Sequence, residues 1–243
     1  MLSMEDAAVL RERWETVRGR LAAAVRAAGR AEGEVTLIAV SKLHPAEAMA
    51  CLAACGQVDF GENYVQEARA KQTELSGKPE CAAMRWHCIG HVQSRKARDV
   101  AGRFALIHSV DSLKLAVGLE KYLESSDARQ PVLIQVNIGG EVQKSGAAVE
   151  ELPALAESVM DLPHLELQGL MCLPPVFGDG PAARPHFARL RGLRDELERR
   201  LGCALPHLSM GMSGDFEEAV AEGATLVRIG TDIFGPRPAR QMS

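Results

Sequence analysis

A lysine closes the first apolar run of the chain, Leu37-Ile-Ala-Val-Ser41-Lys42. An amine at the end of an apolar strand is partly desolvated, which disfavours its charged form and leaves a lone pair for attack on a carbonyl. On position alone, a lysine that carries its head out to solvent is the simpler account. Two later segments tip the balance. Ser209-Met-Gly-Met-Ser213-Gly214-Asp215 precedes a helix predicted over 214–222, so its amides and the Ser213 hydroxyl sit where a helix N-terminus favours an anion. Val227-Arg228-Ile229-Gly230-Thr231-Asp232 adds Gly230 and Thr231 at the end of the last apolar run. Each of these residues singly is ordinary turn chemistry.

The elements that must position these groups follow from periodicity. Leu10, Trp14, Val17, Leu21, Val25 and Ala28 are spaced by three and four, which predicts a helix over residues 5–29 with one buried face. From Val35 onward, β-rich runs alternate with helical stretches, and eight strands are predicted at 35–42, 58–63, 85–90, 104–110, 131–138, 166–173, 207–212 and 226–232. Ser112 reads as a helix N-cap, Pro45 as a first-turn residue, and Gly56, Gly202 and Gly223 as stops. Apolar strands in strict alternation with helices predict a parallel sheet, and eight such units close a barrel. The expected fold is α/β, a TIM-type (β/α)8 barrel with an extra N-terminal helix, forming one domain over residues 1–243. An open doubly wound sheet would carry a glycine-rich first turn, whereas the first strand here ends in Ser-Lys-Leu-His-Pro. The stretch 174–185 is expected to be a loop after strand six.

In such a barrel the active site lies at the C-terminal strand ends, and phosphate is often bound by the loops after strands seven and eight. The strand ends carry Lys42, Glu62-Asn63, Gly90-His91, His108 to Asp111, Asn137, the Ser209–Gly214 run, and Arg228 to Asp232. A phosphate position combined with a carbonyl-seeking lysine suggests pyridoxal phosphate, whose ring nitrogen needs a third partner. Arg228 can be that partner. It only donates, so a facing ring nitrogen stays unprotonated and the ring is a weaker electron sink. An ion pair between Arg228 and Asp232 is the competing account of the same residue.

Composition removes other classes. The chain has 243 residues, 28 Lys+Arg against 32 Asp+Glu, 47% hydrophobic and 25% charged residues, an ordinary globular balance with a net charge of −4. Basic residues are dispersed, so nucleic acid and anionic membrane are not expected partners. No apolar run approaches the roughly 20 residues of a membrane span. The start, MLSMEDAAVLRERW, is not a secretory signal, and the six cysteines form no tight framework, which together predict a cytoplasmic protein with free thiols. His87 and His91 lie about 13 Å apart along a strand and cannot share a metal, and Cys51 with Cys55 lacks further ligands; no metal site is expected.

At this point AVSKLHP (39–45), FGENYVQE (60–67), WHCIGHVQSRK (86–96), HSVD (108–111), VLIQVNIGGEVQKSG (132–146), GLM (169–171) and LSMGMSGDFEEAV with VRIGTDIFG (208–235) together resemble the pyridoxal phosphate homeostasis proteins. The likeness runs in order over 35–237. It implies a fold-type III barrel, a monomer or weak homodimer, that holds pyridoxal phosphate as a Schiff base on Lys42. The implied role is carrier or buffer in intracellular vitamin B6 homeostasis, without robust catalysis and with apo pyridoxal-phosphate enzymes as recipients. The implied cofactor-binding set is Lys42, Asn63, Ser213, Arg228, Gly230 and Thr231, with no catalytic residue.

The chain is also similar to the N-terminal domain of alanine racemase, in which a serine after strand seven and an arginine fifteen residues later contact phosphate and ring nitrogen. Ser213 and Arg228 keep that spacing. The racemase's second domain and its tyrosine base have no expected counterpart in a chain ending at Ser243. Arg95 and Gly139 depart from the usual pattern, where asparagine and serine are common, and Lys144 aligns loosely with a racemase arginine or is a solvated loop lysine. Two alternatives stay open: a racemase-like enzyme using Lys42 with Tyr64 or water as second base, and a cofactor-free phosphosugar barrel.

Overall fold

The structure is a computed structural model that describes residues 2–126, 128–141, 143–175 and 180–236. Its first element is α1 (Met4–Ala27), capped by the Ser3 hydroxyl, which accepts from the Asp6 amide. Eight strands follow: β1 (Thr36–Val40), β2 (Asp59–Glu62), β3 (Arg85–Cys88), β4 (Leu106–Val110), β5 (Gln130–Val136), β6 (Leu165–Cys172), β7 (His207–Ser209) and β8 (Leu226–Ile229). The helices between and after them are α2 (Ala46–Ala54), α3 (Val65–Leu75), α4 (Ala97–Val100), α5 (Leu113–Leu123), α6 (Leu152–Met160), α7 (Arg184–Leu201), α8 (Phe216–Ala221) and α9 (Thr231–Phe234). All eight strands pair in parallel with their sequence neighbours, and β8 returns to β1, so the sheet closes as the alternation predicts.

Alternate residues of each strand face opposite sides, and the two sides differ in chemistry. Outward residues such as Leu37, Ala39, Ile107, Ile134 and Val227 join the large core between barrel and helices. A smaller inner cluster, Ile38, Leu106, Leu133, Met171 and Leu226, fills the barrel interior. The N-terminal helix buries Leu10, Trp14, Val17, Leu21 and Val25, the face that its spacing predicts. Arg20 fixes it over the last strand units, with bonds of 2.7 Å to both Glu217 and Asp232 and its guanidinium over the Phe216 ring.

Several boundaries move inward. The strand predicted at 207–212 stops at Ser209, and the helix predicted over 214–222 begins at Phe216, because residues 213–215 form a turn closed by the Asp215 carboxylate on the Met212 amide. The loop expected at 174–185 already contains a turn at Pro181–Ala183 and the start of α7 at Arg184; its residues 176–179 lie outside those described. Ser112 caps α5 as expected, and Gly202 ends α7 at φ 68°, a left-handed position that glycine fills without strain. Among the described residues no helix is long and apolar enough to cross a membrane.

Candidate functional site

Six residues single themselves out at one end of the barrel. Lys42 follows β1, Asn63 follows β2, Ser213 follows β7, and Gly230 and Thr231 follow β8, with Arg228 inside β8 itself. These are four adjacent strands, in the order β7, β8, β1, β2. The loops are also joined directly: His44 stacks on Phe234 of α9 with ring centroids 5.0 Å apart. Gly230 lies against β1 so closely that a Cβ there would come within 3.3 Å of the Val40 carbonyl.

Lys42 is half-buried on a turn whose next residue, Leu43, has φ 64°. Among the described residues Leu43 is the one non-glycine with positive φ, a conformation that costs energy and persists only where surroundings enforce it. The enforcing groups come from α3. Glu67 accepts from the Leu43 amide at 2.6 Å, while Lys71 donates to the Ser41 carbonyl at 2.7 Å and pairs with Glu62 at 2.6 Å and Glu67 at 2.7 Å. The Ser41 hydroxyl adds a bond to Glu62 at 2.7 Å. Lys71 and Glu62 are both buried; burial pushes the Glu62 carboxyl up, and Lys71 opposes that rise. Two buried charges therefore clamp the turn that carries Lys42.

Sequence reasoning places Glu62 at a strand end but misses Lys71 as its partner and Glu67 as the acceptor for the Leu43 amide. A signal exists: Ala68, Lys71 and Leu75 form the buried stripe of α3, and a lysine on such a stripe needs a buried anion.

Asn63 sits against the next strand end. A Cβ on Gly90 would lie 2.3 Å from the Asn63 carbonyl oxygen and 2.7 Å from its Cα, so only glycine fits. Gly90→Ala is expected to destabilise by about 1–3 kcal/mol, because backbone cannot yield as a flexible side chain would. A urea titration with an unchanged midpoint would contradict that close contact. The Asn63 side-chain oxygen and Glu62 Oε2 are buried without a hydrogen-bond partner among the described residues. Such orphaned acceptors are rare in a folded interior and mark a place where a polar ligand can supply the donors.

Arg228 is buried inside the barrel, donating to Ser209 Oγ at 2.6 Å and to the Cys172 carbonyl at 2.9 Å. The alternative ion pair with Asp232 is not formed; Asp232 pairs with Arg20 instead. Beyond Ser209, the polar groups continue across the interior. Ser209 Oγ meets His108 Nδ1 at 2.8 Å, His108 Nε2 meets His87 Nδ1 at 3.0 Å, and His87 Nε2 meets Asp59 Oδ1 at 2.9 Å. Arg85 closes the far end on Asp59 Oδ2 at 2.7 Å.

Burial, with the Arg228 guanidinium nearby, holds His108 well below its ordinary 6.5. Burial alone would raise Asp59, but the bonds from His87 and Arg85 outweigh it and keep that carboxyl low. The unfolded chain protonates His108 near 6.5 while the fold keeps it neutral, so stability falls as pH drops through 6.5. Each unit below that value is expected to cost about 1.4 kcal/mol, or about 3–6 °C in melting temperature. Melting curves from pH 7.5 to 5.5 check this, and His108→Asn should flatten the dependence; a slope unchanged in that variant would contradict it.

The remaining candidates fall outside this group. Lys144 pairs with Glu141 at 2.5 Å and donates to the Pro174 carbonyl at 3.2 Å. His91 meets Asp111 at 3.1 Å, and Tyr64 is exposed at the start of α3. The amides of Ser213 and Gly214 have no acceptor among the described residues, and a Cβ on Gly214 would meet nothing within 4 Å. The donor set thus combines a half-buried amine, a buried guanidinium, and hydroxyls and amides of small residues. That is the set required by a ligand with an aldehyde, an aromatic nitrogen and a phosphate.

The comparisons agree with that chemistry. The sequence model for "Alanine racemase, N-terminal domain" matches residues 17–238. A pyridoxal phosphate homeostasis protein of Pseudomonas aeruginosa is 48% identical over 221 residues, 91% of this chain and 93% of its own. One from Aquifex aeolicus is 43% identical over 93% of this chain and 97% of its own. The solved structure of PipY from Synechococcus elongatus PCC7942, with PLP bound, superposes with a TM-score of 0.81 at 37% identity, covering 93% of this chain and all of that one (100%).

Proposed function

Because the chain belongs to the alanine racemase N-terminal domain family, and within it to the pyridoxal phosphate homeostasis proteins, we propose that it is a pyridoxal phosphate carrier or buffer in vitamin B6 homeostasis. The observation that carries this reading is the convergence of Lys42, Asn63, Ser213, Arg228, Gly230 and Thr231 on four adjacent strand ends, with Lys42 on a turn held in a strained conformation. When bound, the cofactor supplies an aldehyde for a lysine amine and a ring that withdraws electrons.

The protein's residues divide the work of holding it. Lys42 offers the amine, and the clamp of Lys71, Glu62 and Glu67 fixes the direction in which it points. Ser213, Gly214, Gly230 and Thr231 offer hydroxyls and amides to the phosphate. Arg228 offers N–H donors to the ring nitrogen and no proton, which keeps that nitrogen neutral and its electron-withdrawing power low. This favours storage over carbanion chemistry. The unit is taken as the whole chain, one barrel domain with its N-terminal helix.

Further features support the cellular reading. All six cysteines are free thiols, and burial pushes Cys88 and Cys172 up to about 12, so these two are inert in a reducing cytoplasm. Exposed Leu43, Tyr64, Leu173 and Met212 follow the ends of β1, β2, β6 and β7, giving the mouth apolar groups that a recipient apo-enzyme could touch while the carrier itself remains a monomer or weak homodimer. The test of carrier against enzyme is deuterium exchange at the α-carbon of D- and L-amino acids in heavy water. The carrier reading expects none above background. Exchange with turnover of about 1–1000 per second would establish a racemase-like enzyme instead.

A further inference from the structure

The hydrogen bonds across the barrel interior admit one arrangement of protons, and it points from Arg228 to Asp59. Arg228 can only donate, so Ser209 Oγ accepts there and must send its own proton to His108 Nδ1. At the other end ionised Asp59 can only accept, so His87 donates from Nε2. With both rings neutral, the remaining 3.0 Å contact is satisfied when His108 Nε2–H donates to His87 Nδ1. A proton added to either ring would set two donors against each other or leave the Ser209 hydroxyl without its acceptor. Burial of His108 disfavours that added charge.

Building on the reading that pyridoxal phosphate binds with its ring nitrogen at Arg228, we propose that Asp59, His87, His108 and Ser209 are positioning residues for the cofactor. Asp59, at the far end of the barrel from Lys42, fixes the tautomers of both histidines. Those tautomers turn a lone pair of Ser209 toward Arg228 and hold the guanidinium in one orientation. The relay thus connects a carboxylate at the barrel floor to the ring end of the ligand.

Two measurements test this, one without cofactor and one with it. Long-range proton–nitrogen NMR of the protein without added cofactor, at pH 7, should show His87 and His108 neutral and protonated on Nε2, and Asp59→Asn should disturb that pattern. A proton on His108 Nδ1 in the wild type would overturn the relay outright. Pyridoxal phosphate titration, followed by visible absorbance, then compares His108→Leu, His108→Asn, Asp59→Asn and the control Arg200→Gln, whose side chain pairs with Glu157 on the outer surface.

Asparagine places a polar atom where Nδ1 was, so His108→Asn should restore most of what His108→Leu loses. His108→Leu and Asp59→Asn should still attach the cofactor to Lys42, bind it about tenfold more weakly and shift its absorption band. Arg200→Gln should do neither. Wild-type affinity and band position in both His108→Leu and Asp59→Asn would overturn the proposal with the binding reading intact. A wild-type protein that takes up no cofactor would instead overturn the binding reading and the proposed role together. Melting curves of each variant separate a lost fold from a lost alignment, since Asp59→Asn keeps the side-chain volume.

Discussion

Replacing Lys71 by methionine is expected to lower stability by about 3–5 kcal/mol, because it leaves the Glu62 carboxylate buried without its counter-charge. The same substitution removes the donor to the Ser41 carbonyl and the partner that aims Glu67 at the Leu43 amide. The strained turn then loses its clamp, and the affinity of Lys42 for an aldehyde should fall with stability. The double variant Lys71→Met with Glu62→Leu should recover most of the stability, since an apolar pair of similar volume replaces both charges. It should not recover the affinity, because the turn stays unanchored. Urea unfolding of the three proteins near pH 8 decides the matter; a loss below about 1 kcal/mol in Lys71→Met would mean that the pair is not isolated from water.

Lys42→Ala is expected to abolish covalent attachment of pyridoxal phosphate while leaving the melting temperature within about 2 °C of wild type. Lys42 lies on a turn beyond β1 and is only half-buried, so its removal opens no core cavity. The imine band should be lost even when phosphate and ring contacts still retain some cofactor, leaving only the absorption of the free aldehyde. A variant that keeps the band after dialysis would place the reactive amine elsewhere.

Much of this arrangement is legible in the sequence because each strand carries its own signal. Eight apolar runs, separated by Ser, Pro and Gly punctuation, predict both the closed barrel and its strand ends. Lys42, Ser213, Gly230 and Thr231 can be placed that way. The strand ends are overdrawn by up to three residues, as at Met210 to Met212, because the chain stays apolar after it leaves the sheet. The paired interior is less legible. Whether His87 meets His108, or Ser209 meets Arg228, depends on the stagger of neighbouring strands, and periodicity along one strand carries no information about stagger. The Lys71–Glu62 pair is hidden for a related reason: on a helix rich in charge, a buried lysine resembles a solvated one until the strand beneath it is placed.

The most direct test of the central claim is borohydride reduction of the protein loaded with pyridoxal phosphate, followed by peptide mass mapping. The account predicts a yellow protein whose band is bleached on reduction and a single phosphopyridoxyl group on the peptide containing Lys42. A label on Lys71, Lys144 or several surface lysines, or a protein that takes up no colour at all, would contradict it.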